Sequence, residues 1–212
     1  MLKDDIKAFA CEIKIPFLIH FTRVGNLPSI MANGIYPVGR ADEIGAKPEI
    51  NDQYRWDGKR NSTSVSIAFP NAPMFYKYRM GNPDVDWVVL VLDPAIMLDK
   101  ICAFCRHNAA DARISNLQLA DLKTIGALKG MYEPIEGIEA RDEQKLKAYD
   151  PTDVQAEILV FDVIEPRYIA GAVFDKTAVR DKFLPNLGSV KTYIHASKKG
   201  MFATRGYARK YQ

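Results

Sequence analysis

The stretch DPTDVQAEILVFDVI, residues 150–164, carries a carboxylate at the head of an apolar run, Glu157, with Gln155 two positions before it. The run EILVFDVI reads as a buried strand. A carboxylate at its mouth is either a solvated end or a catalytic group, and the pattern leaves both open. A second polar group interrupts FLIHFT, residues 17–22, where His20 and Thr22 share one face of an otherwise apolar strand. Asn26 reads as the N-cap of a short helix with Pro28 in its first turn, and a helix N-terminus favours an anion. Imidazole, hydroxyl and amide thus converge beside a place suited to phosphate; the plain alternative for His20 is a hydrogen-bonded core histidine. Arg55 and Arg60 flank WDGK in a loop full of breakers. A guanidinium can clamp a diphosphate bidentately, although loop arginines are commonly just solvated.

Other chemistries are poorly supported. Cys102 and Cys105 in CAFCRH, with His107 beside them, supply too few ligands for a tetrahedral zinc site without a second cluster. They are expected to be buried structural thiols, and no metal is expected. Neither a Walker loop nor a G-x-G-x-x-G is present.

Something must position these groups. The 212 residues fit one domain, 1–212, and the 48% hydrophobic and 26% charged composition is that of a globular protein. With three cysteines, a polar N-terminus and no run long enough to span a bilayer, the expectation is a cytoplasmic protein without a membrane segment. A short helix is expected over 2–12, and strands over 17–22, 63–69, 86–93, 157–164, 168–174 and 190–196. Residues 36–62 read as a long loop, MFYKYR (74–79) as a helix, and the middle around 116–133 as helical. Strands at both ends and helices between them favour an α+β fold, mainly antiparallel. From Lys191 onward every charged side chain is basic, and Tyr193, Phe202, Tyr207 and Tyr211 are interleaved with them. Cations mixed with aromatic faces suit single-stranded nucleic acid; the alternative is a solvated basic tail.

Taken together, IHFTRVGNLPSIMANGI, an arginine in the following loop, SVSIAFPNAPMFYKYR and QAEILV resemble the DarT family over roughly residues 15–175. These toxins ADP-ribosylate single-stranded DNA and have the ADP-ribosyltransferase fold. The resemblance implies NAD as the ADP-ribose donor. His20 and Thr22 would hold the nicotinamide and its ribose, and Asn26 would contact NAD from the helix start. Arg55 would bind the diphosphate, with Arg60 as the alternative, and Glu157 would be the catalytic glutamate. Gln155 matches the Q-x-E pair of related transferases, which makes residues 130–155 the substrate-facing loop. Ser62–Ser64 matches a further short motif of the fold. Tyr78 and Arg79, with Lys198 and Arg205 of the basic segment, are the expected DNA contacts.

The wording SIAFPNAPMFYKYR is closer to the guanine-modifying branch than to the thymine-modifying one, so guanine is the expected target. A macrodomain antitoxin that removes ADP-ribose is the implied partner. Three rival readings share part of this pattern. One is an ADP-ribosyltransferase acting on RNA or protein. The others are an NAD glycohydrolase and a nucleic-acid-binding domain without chemistry.

Overall fold

The computed structural model describes residues 2–45, Glu49 and 58–211. Arg55 lies outside them. The strands are β1 (Leu18–Arg23), β2 (Thr63–Ile67), β3 (Trp87–Leu92), β4 (Cys102–Cys105), β5 (Glu157–Val160), β6 (Ile169–Phe174) and β7 (Lys191–Ile194). The helices are α1 (Leu2–Glu12), α2 (Leu27–Asn33), α3 (Ala72–Gly81), α4 (Ile96–Asp99), α5 (Ala112–Ser115), α6 (Leu119–Leu122), α7 (Ile125–Gly130), α8 (Thr177–Leu187) and α9 (Arg205–Tyr211). Among the described residues no helix is long and apolar enough to cross a membrane.

The strands form one sheet in the order β4-β5-β2-β1-β3-β6-β7. Its pairs are antiparallel except for β6 with β7. The apolar run of β3 pairs with β1 along its whole length, from Leu18↔Leu92 to Arg23↔Trp87. The β1–β2 pairing is much shorter. It stops after Leu18↔Ile67 and Ile19↔Ser66, while on the other edge of β2 Thr63, Ser64 and Val65 pair with β5. From His20 onward the two strands therefore diverge, and the sheet splits into halves β4-β5-β2 and β1-β3-β6-β7.

Alternation along the strands fills both faces. Leu18, Leu90, Ile158 and Ala172 join a large core with residues of α1, α2, α7 and α8. Ile19, Val89 and Val173 point the other way and pack with Phe75, Trp87 and Phe202. Behind the smaller half, Ala103, Cys105 and Leu159 meet Ile114 and Leu122. Fully burying a side chain such as Leu90 stabilises the fold by roughly 2–3 kcal/mol.

Several expectations need correction. Strand 157–164 ends at Val160; Phe161 N–H still donates to Ile101 O in the β4–β5 register, and Ile164 makes only an isolated bridge with Ile35. The CAFC segment is a strand that was not expected, while its two cysteines are buried thiols as expected, with burial pushing that of Cys102 up to about 12. The loop expected over 36–62, which follows α2, contains a 3-10 helix, Val38–Ile44. Helix α3 starts earlier than expected, capped by Asn71, whose side chain accepts from Met74 N–H at 3.2 Å. Asn26 does not cap α2 with its side chain. The basic C-terminal segment is folded rather than a free tail, with α9 packing through Ala208 against Phe69 and Ala72.

Candidate active site

The split in the sheet opens a cavity of about 340 Å³. Its lining includes His20 and Thr22 from β1, Ser64 from β2, Tyr78 from α3, and Glu157 from β5. The β1 lip is held by side chains bonded to backbone. His20 Nδ1–H donates to Ser64 O at 3.0 Å, bridging the strands where their ladder has stopped. Thr22, almost fully buried, accepts from Asn26 Nδ2 at 3.0 Å. The same Asn26 amide donates to Glu49 O at 3.1 Å and accepts from Glu49 N–H at 2.9 Å. Asn26 thus faces the cavity as a tie between β1 and the following loop. Arg23, next on the strand, pairs with Glu49 at 3.0 Å.

The opposite lip carries the carboxylate. Glu157 heads β5 in register with Cys105 of β4. It is only 7% exposed, and Oε1 accepts from Ala109 N–H at 2.6 Å. Its strand position is that of a buried group, which decides against a solvated end. A charged-group hydrogen bond of this kind holds one carboxylate oxygen still while the residue borders the cavity.

The structure brings His20, Thr22, Asn26, Tyr78 and Glu157 to one cavity, together with Ser62, Thr63 and Ser64. The other expected site residues fall elsewhere. Arg60 is exposed and does not line the cavity. Gln155 is half-buried just before the lip, its N–H donating to Asp153 Oδ1 at 2.8 Å. Lys198 is exposed in the turn after β7. Arg79 turns away from the cavity; it donates to Phe202 O at 2.9 Å and lies over the rings of Phe75 and Phe202.

Arg205 is a correction. It is 4% exposed and cannot present its guanidinium to a strand on the surface. It donates inward to Pro151 O at 2.7 Å and Thr152 O at 3.0 Å, and burial lowers its pKa to about 10. Arg209, one turn later, makes a two-point pair with the fully buried Asp150, both contacts at 2.7 Å. Arg141 adds bonds to Asp150 O and Thr152 Oγ1. Arginines of the chain's end and of the loop itself thus grip the segment leading to Glu157. Their helical spacing was a usable signal: Arg205, Ala208 and Arg209 form one inward stripe of α9.

Sequence reasoning also missed the partners of the carboxylate. Ala109 offers only a backbone N–H, and His107 meets Asp153 across 46 positions. No local pattern announces either contact.

The mixed α+β fold with its mostly antiparallel sheet is that of an ADP-ribosyltransferase-like domain. The family model described as ssDNA thymidine ADP-ribosyltransferase, DarT, matches residues 19–202. The chain belongs to the DarT family. Among solved structures it is similar to Thermosipho africanus DarTG in complex with ADP-ribose, at TM-score 0.57 and 19% identity. That match covers 84% of this chain and 49% of the other, so the chain spans about half the length of that relative. It is also similar to Thermus sp. 2.9 DarT in complex with ADP-ribosylated ssDNA, at TM-score 0.55 and 12% identity, covering 86% and 95% of the two chains. The same Thermus protein in complex with NAD+ matches at TM-score 0.52 and 12% identity, over 86% and 96%. At these identities the likeness is one of fold. No curated protein matches the chain by sequence.

Proposed function

We propose that the protein transfers ADP-ribose from NAD to a base of single-stranded DNA, with guanine as the base. The observation that carries the reading is the buried Glu157 carboxylate, fixed by Ala109 N–H at 2.6 Å and facing His20 and Thr22 across the split. Family membership and the NAD+ and DNA complexes of the Thermus relative supply the substrates. The family description names thymidine; guanine rests on the segment SIAFPNAPMFYKYR that joins β2 to α3.

The chemistry fits the site. Breaking the bond between nicotinamide and ribose leaves positive charge on the sugar, as in glycoside hydrolysis. The nicotinamide departs with the bonding electrons, and the base nitrogen forms the new bond to the same carbon. A carboxylate held before the reaction begins stabilises that positive charge without reorganising. The attacking nitrogen must lose its proton as the bond forms, and Glu157 is the base at hand. His20 and Thr22 hold the nicotinamide end of NAD, and Asn26 keeps the loop carrying Glu49 against that lip. Arg55 is assigned the diphosphate from the resemblance. A base in a duplex hides its edge, so the DNA must be single-stranded or have its base extruded.

Tyr78 at the cavity, Gln155 before the lip and exposed Lys198 are the proposed DNA contacts. A macrodomain antitoxin and a cytoplasmic setting belong with this reading. Mass spectrometry of four single-stranded oligonucleotides, each lacking one base and incubated with protein and NAD, tests it. An ADP-ribose adduct on all but the guanine-free oligonucleotide is expected. Loss only without thymine would overturn the base assignment. NAD consumption with no DNA adduct would favour RNA, protein or water as acceptor, and neither adduct nor consumption would favour a binding module.

A further inference from the structure

The pairing of β4 with β5 fixes the backbone of Glu157, but not where its carboxylate rests. One of its oxygens is held by Ala109 N–H, which belongs to the turn leaving β4. A turn can swing, so the donor is only as well placed as the turn is anchored. Two residues before Ala109, His107 is 4% exposed, and its Nδ1 lies 2.7 Å from Asp153 Oδ2. A carboxylate oxygen accepts, so Nδ1–H donates. The other Asp153 oxygen takes Gln155 N–H at 2.8 Å, and Asp153 O takes Ala156 N–H at 3.1 Å, immediately before Glu157. One buried side-chain pair therefore joins the turn that supplies the donor to the turn that delivers the acceptor.

Neither His107 nor Asp153 lines the cavity. Burying such a pair is seldom worth much in stability compared with apolar side chains of similar volume, whereas it fixes geometry well. We propose that His107 and Asp153 are positioning residues, which set the orientation of the Glu157 carboxylate by holding Ala109 N–H against it. The proposal rests on Glu157 being the transfer carboxylate.

The test is steady-state transfer to single-stranded DNA by His107→Leu, Asp153→Ala, the double variant and His107→Asn. Asparagine keeps a donor near the place of Nδ1. Misplacing a reacting group by about 1 Å can cost about 10²-fold, so kcat should fall by about that factor in each disruptive single variant, with KM for NAD little changed. Because the two act as one unit, the double variant should be no slower than either single variant, and His107→Asn should recover most of kcat. A folded His107→Leu with wild-type kcat would overturn the proposal, as would losses that appear entirely as weaker NAD binding. Should His107→Leu fail to fold, Asp153→Asn carries the test, since it keeps the acceptor for Gln155 N–H and weakens the link to His107. Lower kcat at unchanged KM supports the proposal there, and full kcat overturns it. Glu157→Ala assayed alongside separates the two readings. Activity surviving in that variant defeats the transfer mechanism itself, whereas its loss beside a fully active His107→Leu defeats only the positioning.

Discussion

Burying a carboxylate costs several kcal/mol unless fixed dipoles replace its water. At Glu157 the Ala109 N–H is one such dipole, and the contact at 2.6 Å is short even for a charged acceptor. The type and strand position of Glu157 were legible in the sequence; its donor was not, because a backbone N–H on another strand's turn leaves no residue-type signature. Arg205 shows the opposite problem. Its charge was legible, but a buried guanidinium that satisfies carbonyls reads the same as an exposed one that binds phosphate. Its removal would orphan Pro151 O in the interior and leave Thr152 O only the long contact from Gln144 Nε2 at 3.4 Å. Each buried acceptor left unsatisfied costs about 1–3 kcal/mol. Arg205→Ala is therefore expected to lose roughly 1–3 kcal/mol in urea unfolding, whereas Lys198→Ala, at an exposed position, should unfold like the wild type.

At the scale of elements, long apolar or alternating runs were readable and short ones were not. β3, with Val88, Leu90 and Leu92 fully buried, announces itself. β4 has four residues, two of them cysteines and one alanine, and becomes a strand because β5 lies beside it. α8 contains Pro185 near its end, which obscures its pattern, yet Val179 and Leu187 anchor it in the core. The turn from β7 toward α9 has a pH dependence of its own. His195 Nδ1 accepts from Met201 N–H at 3.2 Å, so that nitrogen must be unprotonated. Burial lowers the imidazole pKa below its ordinary 6.5. The unfolded chain then takes up the proton first, so this contribution is present above pH 6.5 and is lost as pH falls through the lower native value. Thermal midpoints followed from pH 7.5 down to about 5 should fall more steeply for the wild type than for His195→Gln. Parallel curves would show that His195 does not titrate with folding.

For the molecule as a whole, the decisive feature is where one sheet comes apart. β1 and β2 pair for two residue pairs and then separate, which places His20 and Thr22 opposite Glu157 with a cavity between them. An α+β fold with mostly antiparallel strands was legible; the split was not, since it depends on where the β1–β2 ladder stops, after Ile19↔Ser66. If the cavity binds NAD, the ligand stabilises the folded state by mass action, about 2.7 kcal/mol at a hundredfold excess over Kd. Transfer chemistry is a separate demand on the same cavity, and one substitution divides the two. The most direct measurement compares wild type and Glu157→Gln for the NAD-dependent rise in Tm and for adduct formation on single-stranded DNA. The account predicts a comparable rise in Tm in both and an adduct rate lowered by about 10²–10³ in the variant. An undiminished adduct rate in Glu157→Gln would contradict it.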